Sequence, residues 1–309
     1  MFETTNCNNV QKEPLVSIIT LNYNQLAVTC EFLESTRHLT YSNYEILVCD
    51  MASTEDPTEV ISSKNFPNTR ILVSKQNLGF AGGNNWGMSY AKGDFIFIVN
   101  NDTELPPNLL ELLLQPFYKD ETIGVVSPKI KFYFAPNVIQ YAGFNPMNPY
   151  TGRTSEIGNK EEDRGQYDVS GYTNGAHGCA MMVKREVAEK VGKFPEKFFL
   201  YYEEWDWSAR IQRAGYKIWY NAEAVVYHKE SMSVGKQNPM KVYYHTRNRI
   251  LYMRRNASKF QLVSFYFFFM FLTVPKSLAG YIKNRQFEHL KFFLKGIAWN
   301  LYSSSYSPI

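Results

Sequence analysis

The chain is poorest in acid where it is richest in base. Between Lys236 and Lys295 stand 12 Lys or Arg residues and a single carboxylate, Glu288, so the net charge of +4 conceals a mildly acidic body joined to a strongly basic end. Cysteine is sparse as well. Cys7, Cys30, Cys49 and Cys179 show no metal-type spacing, and Cys30 and Cys49 fall inside apolar patterns, which points to reduced thiols in a cytosolic compartment. Residues 1–13 are polar and hold no apolar signal core, so a non-secreted chain with a polar tail is expected. Repeats and low-complexity tracts are missing. The long apolar run Leu262–Val274 falls short of the about 20 residues that span a bilayer, and Pro275 and Lys276 interrupt it.

What is present is enough chain, 309 residues, for one large α/β domain with an appendage, and many aromatics, 22 Phe and 22 Tyr. Short β-rich runs at 15–21, 44–49, 69–73 and 95–99 alternate with helical stretches at about 25–39 and 58–63 and a glycine-rich turn, Asn77–Gly87, leading into a helix. That alternation predicts a mostly parallel sheet with crossover helices. Further strands are expected at 123–126, 129–134, 178–183 and 217–226, helices at 185–191 and 201–214, and a long loop or flap over 136–170. In parallel sheets ligands bind beyond the carboxyl ends of the strands. Leu21, Tyr23, Asp50, Asn77 and Asp102 all fall just past strand ends, so one crevice can collect them.

Asn100-Asn101-Asp102 carries the most chemistry. It follows the apolar run Phe95–Val99 directly, and Thr103–Pro107 then breaks the chain. A carboxylate delivered by a rigid strand end suits a divalent cation and a phosphate, although a turn or helix cap is the commoner use of such an Asp.

Seven pieces in order resemble family 2 glycosyltransferases of the GT-A fold, especially bacterial rhamnosyltransferase-like members. They are Val16–Asn24, Val48-Cys49-Asp50, Asn77–Gly87, Asn100-Asn101-Asp102, Gly178–Val183, Tyr202–Asp206 and Val225–Lys229, together covering roughly residues 14–255. The resemblance implies a Rossmann-like GT-A domain over 14–235 that binds a UDP- or dTDP-sugar and transfers the sugar, with inversion, to a saccharide acceptor in surface polysaccharide synthesis. It places Leu21, Tyr23 and Asp50 around the base, and Asn77, Asn85 and Asn101 along the sugar-nucleotide path, with the glycines at 79, 82, 83 and 87 admitting the backbone closely. Asp102 and His228 become ligands of Mn2+ or Mg2+, which offsets the charge of a leaving diphosphate. Glu204 becomes the general base, with Asp206 as the fallback, while Tyr202, Glu203 and Trp205 contact the sugars. Asn100 departs from the family pattern, standing where an acid is usual and leaving one charged ligand fewer.

The segment 236–309 reads as helical. Its basic residues (Arg247, Arg249, Arg254, Arg255 and Lys259 before the apolar run, Lys276, Lys283 and Arg285 after it) suggest a membrane-interface anchor on the inner leaflet, near a lipid-linked acceptor. Packing on the body or a homodimer interface is the other use of such helices. Nucleic acid matches the charge, but a nucleic-acid surface would interleave aromatics with bases instead of massing them in one block. A catalytically inactive scaffold is suggested by Asn100 and opposed by the joint retention of Asp50, Asp102, Glu204 and His228.

Overall fold

The computed structural model describes residues 13–229 and 238–307. Cys7, nearly all of the polar tail and the expected boundary at 235/236 lie outside the described residues.

The first half is built from three strands that are largely buried on both faces and one edge strand, β3 (Thr69–Val73). β1 (Val16–Asn22), β2 (Tyr44–Asp50), β3 (Thr69–Val73) and β4 (Phe95–Val99) run parallel, linked by α1 (Leu26–Thr36), α2 (Thr58–Ser63) and α3 (Gly79–Tyr90). Ile18, Ile46 and Phe97 enter one buried layer while Ile19, Leu47 and Ile98 enter the other, as period-two alternation requires of a sheet covered on both sides. The expected glycine-rich turn is largely the body of α3. A Cβ on Gly87 would stand 2.6 Å from Ile19 Cγ2, and one on Gly83 would stand 2.8 Å from Met51 Sδ. These glycines bring a helix onto the sheet, not a ligand onto the backbone.

After β5 (Thr103–Glu104) comes α4 (Leu109–Lys119), an amphipathic helix that the reading of the sequence did not assign. It is followed by β6 (Ile123–Phe132), β7 (Ala135–Tyr141), β8 (Gly171–Thr173), β9 (Ala180–Lys184), α5 (Arg185–Val191), α6 (Glu203–Arg213) and β10 (Lys217–His228). This second half mixes strand directions, with β6 and β10 running as β4 does and β9 against them. The sheet order is β3-β2-β1-β4-β9-β6-β10-β5, with β7 on β6 and β8 on β10. β9 lies antiparallel between β4 and β6. The strands expected at 123–126 and 129–134 are one strand through Pro128. Its missing N–H is tolerated because β10 bulges between Asn221 and Val225, next to the residue that pairs with Pro128. The loop expected over 136–170 is partly a strand, β7. It continues as a ladder of bridges, Val138–Glu162, Phe144–Glu156 and Asn148–Arg153.

The C-terminal segment is helical, in α7 (Pro239–Asn256), α8 (Lys259–Phe268), a π turn (Phe269–Thr273), α9 (Val274–Lys283) and α10 (Phe287–Tyr302). α7 belongs to the body. Arg247 and Arg249, expected to face lipid, are 6% and 7% exposed and hydrogen-bond inward, because their donors satisfy backbone carbonyls of the site. Pro275 does not end the apolar helix. The π turn opens the backbone ladder where the proline ring would meet the carbonyl one turn back. Lys259–Lys283 is therefore one helical stretch of 25 residues that contains an 18-residue window of mean hydropathy 1.6, long and apolar enough by length and composition to cross a membrane.

Candidate active site

A cavity of about 560 Å³ opens where β4 and β10 end and β9 begins, between the start of α6, the 144–156 flap and α7. β5 makes its polar end. Thr103 pairs with His228, and the Lys229 N–H donates to the Asp102 carbonyl at 2.8 Å, which sets the two side chains face to face. His228 Nε2 lies 3.1 Å from Asp102 Oδ1, and both residues are buried. The other ring nitrogen, Nδ1, is 2.8 Å from Gln140 Oε1. An N–H directed at that acceptor leaves Nε2 turned to the carboxylate, so a proton or a cation must stand between them.

The residues therefore fit a divalent ion shared with a ligand. One carboxylate and one imidazole are too few for a closed protein site but suit an ion completed by phosphate oxygens and water. Among the described residues no group of three or more His, Cys, Asp or Glu forms such a closed site. Asn100 also lines the cavity and contributes no charge there.

The opposite wall is the start of α6. Glu203 and Glu204 lie there with Tyr202 and Trp205, and Trp205 packs on Phe144 with ring centroids 4.5 Å apart. Burial pushes the Glu203 carboxyl well above the usual carboxylate range, and the adjacent Glu204 charge adds to it. Burial also raises Glu204, to about 7, against the pull of backbone hydrogen bonds. Glu204 is enclosed by protein but open to the cavity, so it is the member of the pair that ionises near neutral pH.

The chain reaches these acids through an improbable backbone. Phe199, Tyr201 and Tyr202 hold φ of 63°, 69° and 74°, a region costing bulky residues roughly 1–3 kcal/mol each. α7 holds them there. The fully buried Asn248 amide donates to the carbonyls of Phe198, Leu200 and Tyr201 at 3.0, 2.7 and 2.7 Å, and Arg247 donates to those of Lys197 and Phe198. Asn248→Ala is expected to leave donor affinity intact and to lower kcat by up to about 100-fold, the scale of a small misplacement of a reacting group. Equal kcat in the variant would show that the segment holds itself.

Asp206 is not an alternative base. It is 1% exposed and accepts from Arg255 Nε at 2.8 Å, Asn256 Nδ2 at 2.9 Å and Arg210 Nε at 3.1 Å. Burial alone would raise its carboxyl, but these partners hold it below the usual range, and its oxygens are spent on joining α6 to α7. Asp206→Ala should destabilise the fold by about 3–5 kcal/mol in denaturant melts, because two partly buried guanidinium groups lose a fully buried counter-charge.

Other expected residues sit elsewhere. Asp50 is buried at the end of β2, two strands from β4, and accepts from Asn22 Nδ2 at 2.6 Å and from the Ser53 N–H and hydroxyl at 2.9 and 2.6 Å. Asn101 continues that chain of bonds, through Thr29 Oγ1 at 2.8 Å, to Asn22. Tyr23 stands 46% exposed beside them, and Leu21 packs toward α3. Asn77 caps its own turn through the Gly79 N–H. Asn85 is buried facing the other way, clasping the Phe194 backbone through both ends of its amide, so it lines no ligand path. Of the four residues whose joint retention argued for an active enzyme, Asp102, Glu204 and His228 share the cavity, and Asp50 does not.

Several cavity residues were not singled out from sequence. His177 stacks flat on Phe144, and burial depresses its pKa to about 3, so it is neutral. Gln140 orients His228. Arg153 and Glu156 come from the flap, and Lys241 and His245 from α7. His177 stands one residue before the Gly178–Val183 piece, an available signal, but nothing in the local sequence marks the others.

The same architecture is found among GT-A glycosyltransferases. A mannosyltransferase from Pyrobaculum calidifontis, solved with GDP-Man and Mn2+, superposes with a TM-score of 0.58 at 16% identity, over 94% of this chain and 87% of that one. The model of glycosyl transferase family 2 matches residues 17–192, and the chain belongs to that family. It is 33% identical over 120 residues to a hyaluronan synthase of Pasteurella multocida, a match covering 38% of this chain and only 12% of that protein. It is 23% identical over 248 residues to the N-acetylglucosaminyl-diphospho-decaprenol L-rhamnosyltransferase of Mycobacterium tuberculosis, covering 72% and 78%.

Proposed function

We propose that this chain is an inverting, metal-dependent glycosyltransferase that passes a sugar from a UDP- or dTDP-linked donor to a lipid-linked saccharide in surface polysaccharide synthesis. The observation that carries this reading is the facing of Asp102 and His228 by Glu204 across one cavity. Asp102 and His228 would hold the ion, with Gln140 fixing the ring. When bound, Mn2+ or Mg2+ supplies Lewis-acid neutralisation of the diphosphate. Glu204, ionised near pH 7, would take the proton of the acceptor hydroxyl. That oxygen bonds to the anomeric carbon as the bond to the diphosphate breaks on the opposite face, and the electron pair leaves with the diphosphate. Trp205 and Tyr202 offer flat faces for sugar rings, and the strand ends carrying Leu21, Tyr23 and Asp50 are the place for the base.

Similarity to the mycobacterial rhamnosyltransferase makes dTDP-rhamnose the first donor to try. Purified protein with Mn2+ should hydrolyse one member of a panel of UDP- and dTDP-sugars. Silence toward every nucleotide sugar would end the enzyme reading.

The inner leaflet is the proposed location, with the protein peripheral on its cytoplasmic face. Phe260, Val263, Phe267 and Phe271 are exposed at spacings that keep them on one side of the apolar helix, while Phe265 and Phe269 bury the other. Lys259, Lys276, Lys283 and Arg285 are exposed along the same helical stretch or just after it, each contributing roughly 1 kcal/mol toward anionic lipid. Flotation with phosphatidylglycerol vesicles should fall as salt rises. Dimerisation without vesicle binding would reassign this face.

A further inference from the structure

Arg153, on the flap, touches both the cavity and the apolar helix. Arg153 lines the cavity and is exposed, and its guanidinium lies over the Phe268 ring of α8, 5.9 Å from the centroid. Nearby, Tyr150 meets Phe260 edge-on at 6.5 Å. Asp102 and His228 occupy the sheet end of the same cavity, whereas Arg153 marks the end against α8. The cation is held in place by its loop. Gly152 has φ +60°, and a Cβ there would come within 2.9 Å of Met253 Cγ. The Asn148 and Gly152 N–H groups close the turn onto the Arg153 and Asn148 carbonyls, each at 2.8 Å, and the Asn148 side chain accepts from Tyr150 and Thr151. The buried Arg249 donates from Nε to the Thr151 carbonyl at 2.7 Å. Among the described residues no carboxylate forms an ion pair with Arg153.

We propose that Arg153 is the acceptor's phosphate-binding residue and that the exposed face of α8 beside it receives the acceptor's hydrocarbon chain. This deepens the transferase reading and rests on it. The ligand class is a prenyl-type lipid phosphate or diphosphate bearing the acceptor sugar. Its anionic link sits at the cavity mouth, its sugar reaches inward toward Glu204, and its chain lies along Phe260, Phe267 and Phe271. An arginine suits this place because its fork can grip phosphate oxygens while its cation stays over the Phe268 ring.

The test uses farnesyl diphosphate, farnesol and inorganic pyrophosphate in EDTA, with calorimetric titration of the full chain. Wild type should bind farnesyl diphosphate roughly tenfold or more tightly than either fragment. Arg153→Gln should lose that advantage and Arg153→Lys should keep part of it. Phe267→Ser with Phe271→Ser should weaken farnesyl diphosphate but not pyrophosphate. UDP and dTDP, titrated separately with Mn2+, should bind wild type and Arg153→Gln alike. Unchanged farnesyl diphosphate binding by Arg153→Gln would overturn the proposal, as would pyrophosphate binding as tightly as the lipid. An equal loss of nucleotide affinity would also overturn it by moving Arg153 to the donor. Failure of wild type to bind any nucleotide, with the lipid results intact, would strike the transferase reading alone.

Discussion

Glu204→Gln is expected to bind the nucleotide sugar as wild type does and to lose transfer by about 100- to 10,000-fold, the usual contribution of a positioned base. Glutamine keeps the shape and cannot take a proton. Its fold should not suffer. A carboxyl whose folded-state pKa is raised to about 7 contributes stability below its ordinary value near 4.5 and loses that contribution as pH climbs to 7. Replacing it with an amide removes that loss, so the variant should melt higher than wild type at pH 8 and gain less at pH 5. A protein that is more stable yet inactive separates chemistry from misfolding. In wild type, kcat should fall about tenfold per unit as pH drops below 7, because only the ionised carboxylate accepts the proton. Transfer retained by the glutamine variant would remove Glu204 from the reaction.

Asp102→Ala should abolish Mn2+-dependent nucleotide binding and cut turnover by roughly 100- to 1,000-fold, as loss of several kcal/mol of charge neutralisation implies. The variant leaves His228 with Gln140 but without its facing carboxylate. Asp102→Asn tests charge against shape. The amide can fill the same space, yet it supplies no anion opposite the imidazole. Equilibrium titration of UDP and dTDP with and without Mn2+ distinguishes the outcomes, and metal-independent binding of equal strength in all three proteins would refute a metal role for Asp102.

Much of the architecture was legible because the central strands are apolar on both faces and their carboxyl ends carry polar residues. Phe95–Val99 and Thr69–Val73 coincide with the structure residue for residue. Asp102 and His228 could be paired only by resemblance, since their contact depends on β5, a strand too short to show periodicity. The role of Asn85 was misjudged because a buried amide and a ligand-facing amide look alike in sequence. Asp206 was ambiguous for a similar reason. Its partners Arg255 and Asn256 lie some fifty positions away, and no local pattern announces them. The arginines of α7 misled most. Counted as charge they suggest a lipid surface, but Arg247 and Arg249 are internal donors to strained backbone and to the flap.

The packing of α7 also bears on how this protein can be cut. A boundary drawn where the sequence turns basic, at residue 236, severs Asn248 from the carbonyls it restrains and strips Asp206 of Arg255. α10 would go with it, although Gly296 lets that helix press so closely on α7 that a methyl group there would lie 2.9 Å from the Tyr243 carbonyl. Trimming the aromatic tail to gain solubility should therefore yield a catalytically crippled fragment, whereas polar substitutions on the outward face of α8 spare every one of these ties.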